Sequence, residues 1–417
     1  MADDIISHMP MNLYPFRRNI KLSNILEFKK GVGYNSNEPK PVLHRLYYRL
    51  YYGKRKEAVM AKVLIAMSGG VDSSVAAVLL LEQGYEVAGA TFKLFDNEDI
   101  GIDRTRTCCS LEDVLDAKSV ADKLGFRHDV FNFGMQFERD VILPFAEAYR
   151  RGETPNPCIE CNRSIKFDKF LERALLLDYD FIATGHYARI EKDAATGRYL
   201  LKKGLDPAKD QSYALYTMTQ EELARTLFPL GNLKKTEIRA IAEEKGFVNA
   251  KKPDSQDICF VKDGDYAGFL KKTLNVNAME GDFVDHEGNI LGRHHGIIHY
   301  TIGQRKGLGT TFGKPMYVVD IDSETNRITL GTNEDLFVES FTAGDLNLIS
   351  VAELAEPMEV TVKTRYTAKE VPATIYPPEN GRIFVRLQEK QRAVTPGQAA
   401  VFYQGDVVVG GGKIIKR

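Results

Sequence analysis

From residue 62 to about residue 250 the chain alternates between apolar runs of strand length and longer stretches of helical period. Val63-Leu64-Ile65-Ala66-Met67 is an unbroken apolar run, the mark of a strand buried on both faces. Ser68–Ser74 follow as a turn, and Val75–Gln83 as a helix stopped by Gly84. Glu86–Phe92 is the next strand. In Asp113–Leu124 the apolar residues Val114, Ala117, Ala121 and Leu124 share one helical face, and Gly125 ends it. Strands at His128–Phe133 and Asp180–Thr184 and helices at Gln136–Arg150, Asn162–Leu177 and Thr236–Lys245 complete the pattern. Strands and helices in alternation predict a doubly wound α/β domain, a parallel sheet with helices on both faces.

Past about Gly264 the period shortens. Short alternating runs at Gly288–Arg293, Tyr317–Ile321, Arg327–Leu330, Glu359–Thr364, Arg382–Leu387 and Ala399–Tyr403 are punctuated by Gly, Pro and Asn. They predict two small β-rich domains, the last a β-barrel. Residues 1–59 show no sustained period and read as a loose extension or an upstream start rather than an RNA-binding arm. The expected organisation is therefore an extension (1–59), an α/β domain (60–263), a central β-rich domain (264–335) and a C-terminal barrel (336–417).

Composition narrows the class. No apolar run approaches the roughly eighteen residues of a membrane helix, and the acidic start Met1-Ala2-Asp3-Asp4 lacks a secretory signal, so a cytoplasmic location and no membrane partner are expected. A net charge of −1 over 417 residues means that any nucleic acid must be held by local patches. Five cysteines in a chain of this length do not make a disulfide framework. They are core residues, metal ligands or reactive thiols, and their spacing must decide.

Ser68-Gly69-Gly70-Val71-Asp72-Ser73-Ser74 lies between a strand and a helix, where glycines let the backbone close on a ligand and free helix amides attract phosphate. The Gly-Lys-Ser/Thr ending of the common nucleotide loop is missing, which suits a departing pyrophosphate better than a transferred terminal phosphate. Thr154-Pro155-Asn156-Pro157-Cys158-Ile159-Glu160-Cys161-Asn162 is a stiff loop before a helix, and Asn162 reads as that helix's N-cap. Cys161 would then face the positive end of the dipole, with its pKa below the free value of about 8.5. A distant Asp254-Ser255-Gln256-Asp257-Ile258-Cys259-Phe260 supplies a second thiol. One such thiolate can carry sulfur as a persulfide while the other resolves it. Cys158 and Cys161 also form a C-x-x-C pair, and with Cys259 they offer three thiolates for an iron–sulfur cluster. Cys108-Cys109 read as structural or incidental.

The Ser68–Ser73 signature resembles that of the PP-loop (N-type ATP pyrophosphatase) group, with its adenine nucleotide α-hydrolase-like fold. The resemblance implies ATP, with Mg2+, cleaved between the α and β phosphates. It places contacts at Ala66, Met67, Ser68, Gly69, Gly70, Val71, Asp72, Ser73, Phe92 and Gly185. The cysteine segments, with Lys209-Asp210-Gln211-Ser212-Tyr213, Gly303-Gln304-Arg305-Lys306-Gly307-Leu308-Gly309, Val362-Lys363-Thr364-Arg365-Tyr366 and Thr395-Pro396-Gly397-Gln398, resemble the tRNA-uridine 2-sulfurtransferases from about Lys62 to the C-terminus.

That resemblance implies adenylation of the C2 oxygen of the wobble uridine and then sulfur transfer, with Cys161 as nucleophile and Cys259 as persulfide carrier. The two cysteines would end as a disulfide, whether the persulfide attacks directly or hydrosulfide is released first, and a cysteine desulfurase or sulfur-relay protein would supply the sulfur. Asn156, Pro157, Cys158, His186, Lys209, Asp210, Gln211, Arg365, Tyr366 and Gln398 would meet tRNA. Lys363, Arg382 and Arg386 would add phosphate contacts. In the family's pattern an aspartate stands where this chain has Cys158, which leaves the acid/base role of that position open. Two rival readings are a PP-loop enzyme acting on a small molecule and a non-catalytic iron–sulfur or zinc RNA-binding protein.

Overall fold

The computed structural model describes residues 60–95, 111–253, 258–261, 265–274, 278–309 and 313–415. The extension 1–59, the Cys108-Cys109 pair and Asp254–Asp257 lie outside the described residues.

The strands β1 (Lys62–Ala66), β2 (Glu86–Lys93), β3 (His128–Asn132), β4 (Phe181–Ala183) and β7 (Thr226–Leu227) form one sheet in the order β3-β2-β1-β4-β7, all parallel. The apolar run is its centre: Val63, Leu64 and Ile65 are inaccessible to solvent. Around the sheet pack α1 (Val71–Glu82), α2 (Leu111–Leu124), α3 (134–150), α4 (157–176), α5 (Gln220–Ala224) and α6 (Lys235–Glu244). Val75 and Val78 of α1 share an apolar cluster with Ile238 and Ala242 of α6. Because α1 is covered on both sides, its apolar residues run nearly all round it.

Chain order reverses at β1, whose neighbours are β2 on one side and β4 on the other. Loops leaving the C-terminal ends of β1 and β4 flank this switch point and its crevice, the place where open parallel sheets take their ligands.

Helix α4 starts earlier than its sequence suggests. The N-cap is Asn156, whose side chain accepts from the Cys158 amide at 3.1 Å, and Pro157 occupies the first turn. Asn162 is not a cap: it is buried one turn inside the helix and donates to the Ala214 carbonyl at 2.9 Å. Cys158 rather than Cys161 thus lies nearest the positive end of the dipole. Directly after Cys161 the helix widens into a π-helical stretch, Asn162–Lys169.

The β-rich half has two parts. After α7 (Tyr266–Leu274), strands β8 (Gly281–Val284), β9 (Ile290–His294), β10 (Tyr317–Asp322) and β11 (Arg327–Gly331) form a four-stranded sheet in the order β10-β11-β8-β9. Then β12 (Phe337–Leu348), β13 (Met358–Lys363), β14 (Val371–Ile375), β15 (Ile383–Arg392), β16 (Ala399–Gln404) and β17 (Val407–Ile414) pair antiparallel in the order β12-β15-β14-β13-β16-β17, and β12 returns to β17 to close a barrel. Val360, Val362, Ala373, Ile375, Ile383 and Val385 alternate inward to fill it.

The sequence reading did not anticipate a hairpin of β5 (Ala188–Lys192) and β6 (Tyr199–Lys203), which leaves the parallel-sheet half and extends the barrel sheet at Lys202↔Val407. An Arg189–Asp406 ion pair at 2.6 Å fastens it there.

Candidate active site

The loop after β1 enters α1 through Gly70, the N-cap, so the helix begins at Val71 and not at Val75. Asp72 and Ser73 therefore stand in its first turn, among amides that have no intrahelical acceptor, and the Ser74 amide closes that turn on the Gly70 carbonyl. Gly69 has φ +71°, and a Cβ there would collide with the backbone of Asp113 at the start of α2. The hydroxyls of Ser73 and Ser74 donate to the Gly70 carbonyl at 3.1 and 3.0 Å. From the far side Asn249 donates one amide to both the Gly69 carbonyl and the Ser74 hydroxyl, each at 2.9 Å. Gly185, just past β4, lies so close that a Cβ would meet the Ser73 nitrogen at 2.9 Å. The two loops of the crevice are in contact.

Long-range partners set the electrostatics, and the sequence reading missed them. Lys235, the first residue of α6, reaches both oxygens of Asp72 at 2.7 and 2.9 Å, and the Tyr187 hydroxyl donates to the same carboxylate at 2.6 Å. The loop without a lysine of its own is thus served by one from 163 residues downstream.

Phe92 is a core residue: its ring packs edge-on against Phe133 and Phe170 at 5.4 and 4.8 Å. Its side chain therefore belongs to the core and not to the crevice. His186 is likewise buried, between Phe167 and Phe228, with Nδ1 at 2.7 Å from the Thr184 hydroxyl. Burial, reinforced by Lys166, holds its imidazole well below the ordinary histidine pKa, so it is neutral.

The proline-rich cysteine loop is clamped by the barrel. The Thr154 amide donates to the Pro396 carbonyl at 2.9 Å, and Gln398 Nε2 donates to the Thr154 carbonyl at 2.7 Å. Arg163 pairs with Asp345 of β12 at 2.7 Å, and Lys413 of β17 with Glu153 at 2.9 Å. Burial raises the Glu160 pKa against the pull of Arg163. Tyr366, 43% exposed, donates its hydroxyl to the Asp210 carbonyl at 3.3 Å and packs edge-on with Tyr213. Its own pKa is raised by burial and by the neighbouring Asp210. The Asp210 carboxylate is occupied within its own turn, accepting from the amides of Gly204 and Ser212 and from the Ser212 hydroxyl. Arg365, Arg382 and Arg386 are exposed, and Lys363 lies over the Tyr213 and Tyr366 rings.

Cys158 is exposed, Cys161 buried and Cys259 half-buried. Cys161 and Cys259 border one apolar cluster. Its wall is α3, where Phe145 packs against Phe260 at 5.4 Å and also lines a small cavity with Asn156, Pro157, Ile159 and Glu160. Among the described residues no three His, Cys, Asp or Glu side chains converge on a metal-sized site. No helix among them is long and apolar enough to cross a membrane.

Three family models match the chain in sequence: a tRNA methyl transferase HUP domain over 61–263, a tRNA methyl transferase PRC-barrel domain over 267–332 and an aminomethyltransferase beta-barrel domain over 338–414. The tRNA-specific 2-thiouridylase MnmA of Clostridioides difficile is 54% identical over 355 residues, covering 85% of this chain and 98% of that protein. Its namesake in Acetivibrio thermocellus is also 54% identical, over 85% of this chain and 99% of the relative. Matches that run through all three domains set aside both the small-molecule enzyme and the non-catalytic RNA-binding protein. The chain belongs to the tRNA-specific 2-thiouridylases, a family of sulfurtransferase enzymes.

Proposed function

We propose that the protein uses ATP to replace the C2 oxygen of the wobble uridine of tRNA with sulfur. The supporting observation is that segments far apart in sequence meet: Thr154 bonds to Pro396 and Gln398, Tyr366 bonds to Asp210, and Tyr213, packed against Tyr366, donates to the Ala399 carbonyl next to Gln398. The Tyr187 hydroxyl reaches from the Gln211 side to Asp72 of the phosphate loop.

The urea-like C2 oxygen is a poor leaving group. ATP held along Ala66–Ser73, Phe92 and Gly185 is attacked at its α-phosphorus by that oxygen, and pyrophosphate departs against the α1 amides. The terminal sulfur of a Cys259 persulfide then attacks C2, and AMP leaves with the former C2 oxygen. The Cys161 thiolate attacks the Cys259 sulfur, the S–S bond of the persulfide breaks, and 2-thiouridine is left with a Cys161–Cys259 disulfide. A two-electron reduction restores the thiols. A cysteine desulfurase or sulfur-relay protein supplies the persulfide sulfur. Mg2+ brought by ATP would help neutralise the departing pyrophosphate, while Asp72, the carboxylate of the loop, is held by Lys235 and Tyr187. These steps use no iron–sulfur cluster.

The buried, neutral His186 suits contact with an extruded base rather than with the phosphate backbone. Lys209, Arg365 and the arginines of the barrel suit the phosphates, and Tyr366 offers a stacking face. Pyrophosphate release that requires tRNA, with 2-thiouridine lost in Cys161→Ser while pyrophosphate release persists, is the expected biochemical result. Thiolation by Cys161→Ser at the native rate would remove the sulfur-transfer role of this residue.

A further inference from the structure

Tyr187 joins two sites that the reaction must use in order. Its hydroxyl donates to Asp72 Oδ1 at 2.6 Å, inside the first turn of α1. Its main chain is paired reciprocally with Gln211: the Tyr187 amide donates to Gln211 Oε1 at 2.9 Å, and the Gln211 amide donates to the Tyr187 carbonyl at 3.0 Å. Gly204 passes so close above that a Cβ on it would meet the Tyr187 carbonyl at 2.8 Å. Gly204 is itself bonded to Asp210, whose carbonyl accepts from Tyr366 of the barrel. The Tyr187 ring is 3% exposed and belongs to the apolar cluster that holds Val71 and Val75 of α1. A buried, rigid ring with partners at both ends transmits a displacement instead of absorbing it.

We propose that Tyr187 is a positioning residue that couples tRNA binding at Lys209–Gln211 and Tyr366 to nucleotide binding at Asp72. RNA that fixes Gln211 fixes the Tyr187 backbone, and with it the hydroxyl that orients Asp72 opposite Lys235. By linkage the effect is mutual, so ATP must tighten tRNA by the factor with which tRNA tightens ATP. The enzyme thereby spends ATP when a tRNA is seated. This inference rests on the tRNA-thiolation reading but makes a separate claim.

The test is calorimetric titration of the full-length protein with α,β-methylene-ATP, with and without substrate tRNA. Couplings of this kind run from roughly 5- to 150-fold. A hydrogen bond to a charged group is worth on the order of tenfold or more in an equilibrium. Tyr187→Phe, which keeps the ring, is expected to cut the tRNA-induced tightening by about tenfold, or to abolish it where the native factor is smaller, whatever its affinity without tRNA. A Tyr187→Phe protein with the native ratio overturns the proposal, as does a native protein that thiolates tRNA yet binds nucleotide equally with and without it. Should Tyr187→Phe not fold, Gln211→Asn withdraws the acceptor by one methylene and must show the same loss of coupling. A native protein that neither thiolates tRNA nor releases pyrophosphate with it refutes the underlying functional reading instead.

Discussion

Gly69→Ala is the sharpest single perturbation of the phosphate loop, and Gly84→Ala supplies its control. Both glycines have positive φ, +71° and +88°, so each alanine meets the left-handed penalty of about 1–2 kcal/mol. They differ in surroundings. A Cβ at Gly84 has nothing within 4 Å, whereas at Gly69 it runs into the carbonyl of Asp113 and lies 2.7 Å from its Cα. Asp113 cannot retreat cheaply, because Lys252 ties it and Asp116 to the segment after α6 at 2.7 Å each. Gly69→Ala should therefore cost about 3 kcal/mol or more against about 1–2 for Gly84→Ala, the excess coming from backbone displacement. Urea unfolding measures the stability, and calorimetric titration measures the nucleotide. Only Gly69→Ala should lose nucleotide affinity, by tenfold or more. Equal stability losses with equal, native nucleotide affinities would refute the idea that the Asp113 backbone forms the wall of this loop.

Asn249→Asp replaces the amide that donates to Gly69 and Ser74 with a second acceptor, and should cost about 2–4 kcal/mol in urea unfolding and weaken ATP at least tenfold. Gln398→Glu sets a carboxylate against the Thr154 carbonyl, and should slow thiolation severalfold while nucleotide titrations stay near native. His186 is held neutral in the fold but binds a proton below about 6.5 when unfolded, so the unfolded chain takes up more protons and stability falls as pH drops below that value. The slope from this residue is at most about 1.4 kcal/mol per pH unit. Thermal melts from pH 7 to 5.5 should show a shallower loss in His186→Asn, the remainder coming in part from His128, His294 and His299, whose pKa values are also lowered by burial.

Much of the catalytic half was legible because its signals are local. The β1 run, the glycine stop after α1 and the helical face of α2 each lie within one element; β1 and α2 are within two residues of where their patterns put them, and α1 ends at its glycine although it starts four residues early. The start of α4 was misplaced because Asn156 and Asn162 are both good caps. Pro157, fitted to a first helical turn, is the residue that favours Asn156. The β5–β6 hairpin escaped notice because its charged, alternating strands find their partner at β17, some two hundred residues away. Lys235, Tyr187 and Asn249 were missed for a related reason. Tyr187 follows the marked Gly185 and His186, but nothing local marks Lys235 or Asn249, and only folding brings all three to Asp72 and Gly69. His186 and Phe92 stand at the ends of the strands their patterns marked, but their burial depends on rings contributed by other elements. Residue identity in a motif fixes position along the chain, while the direction a side chain faces is decided by what packs on it.

The central claim is that the uridine C2 oxygen is itself activated. It is tested most directly by supplying tRNA whose target uridine carries oxygen-18 at C2, together with ATP and a persulfide donor, and weighing the AMP produced in a single turnover. If that oxygen attacks the α-phosphorus, the AMP emerges about two mass units heavier, one label for each 2-thiouridine formed. Unlabelled AMP accompanying full thiolation would contradict the account.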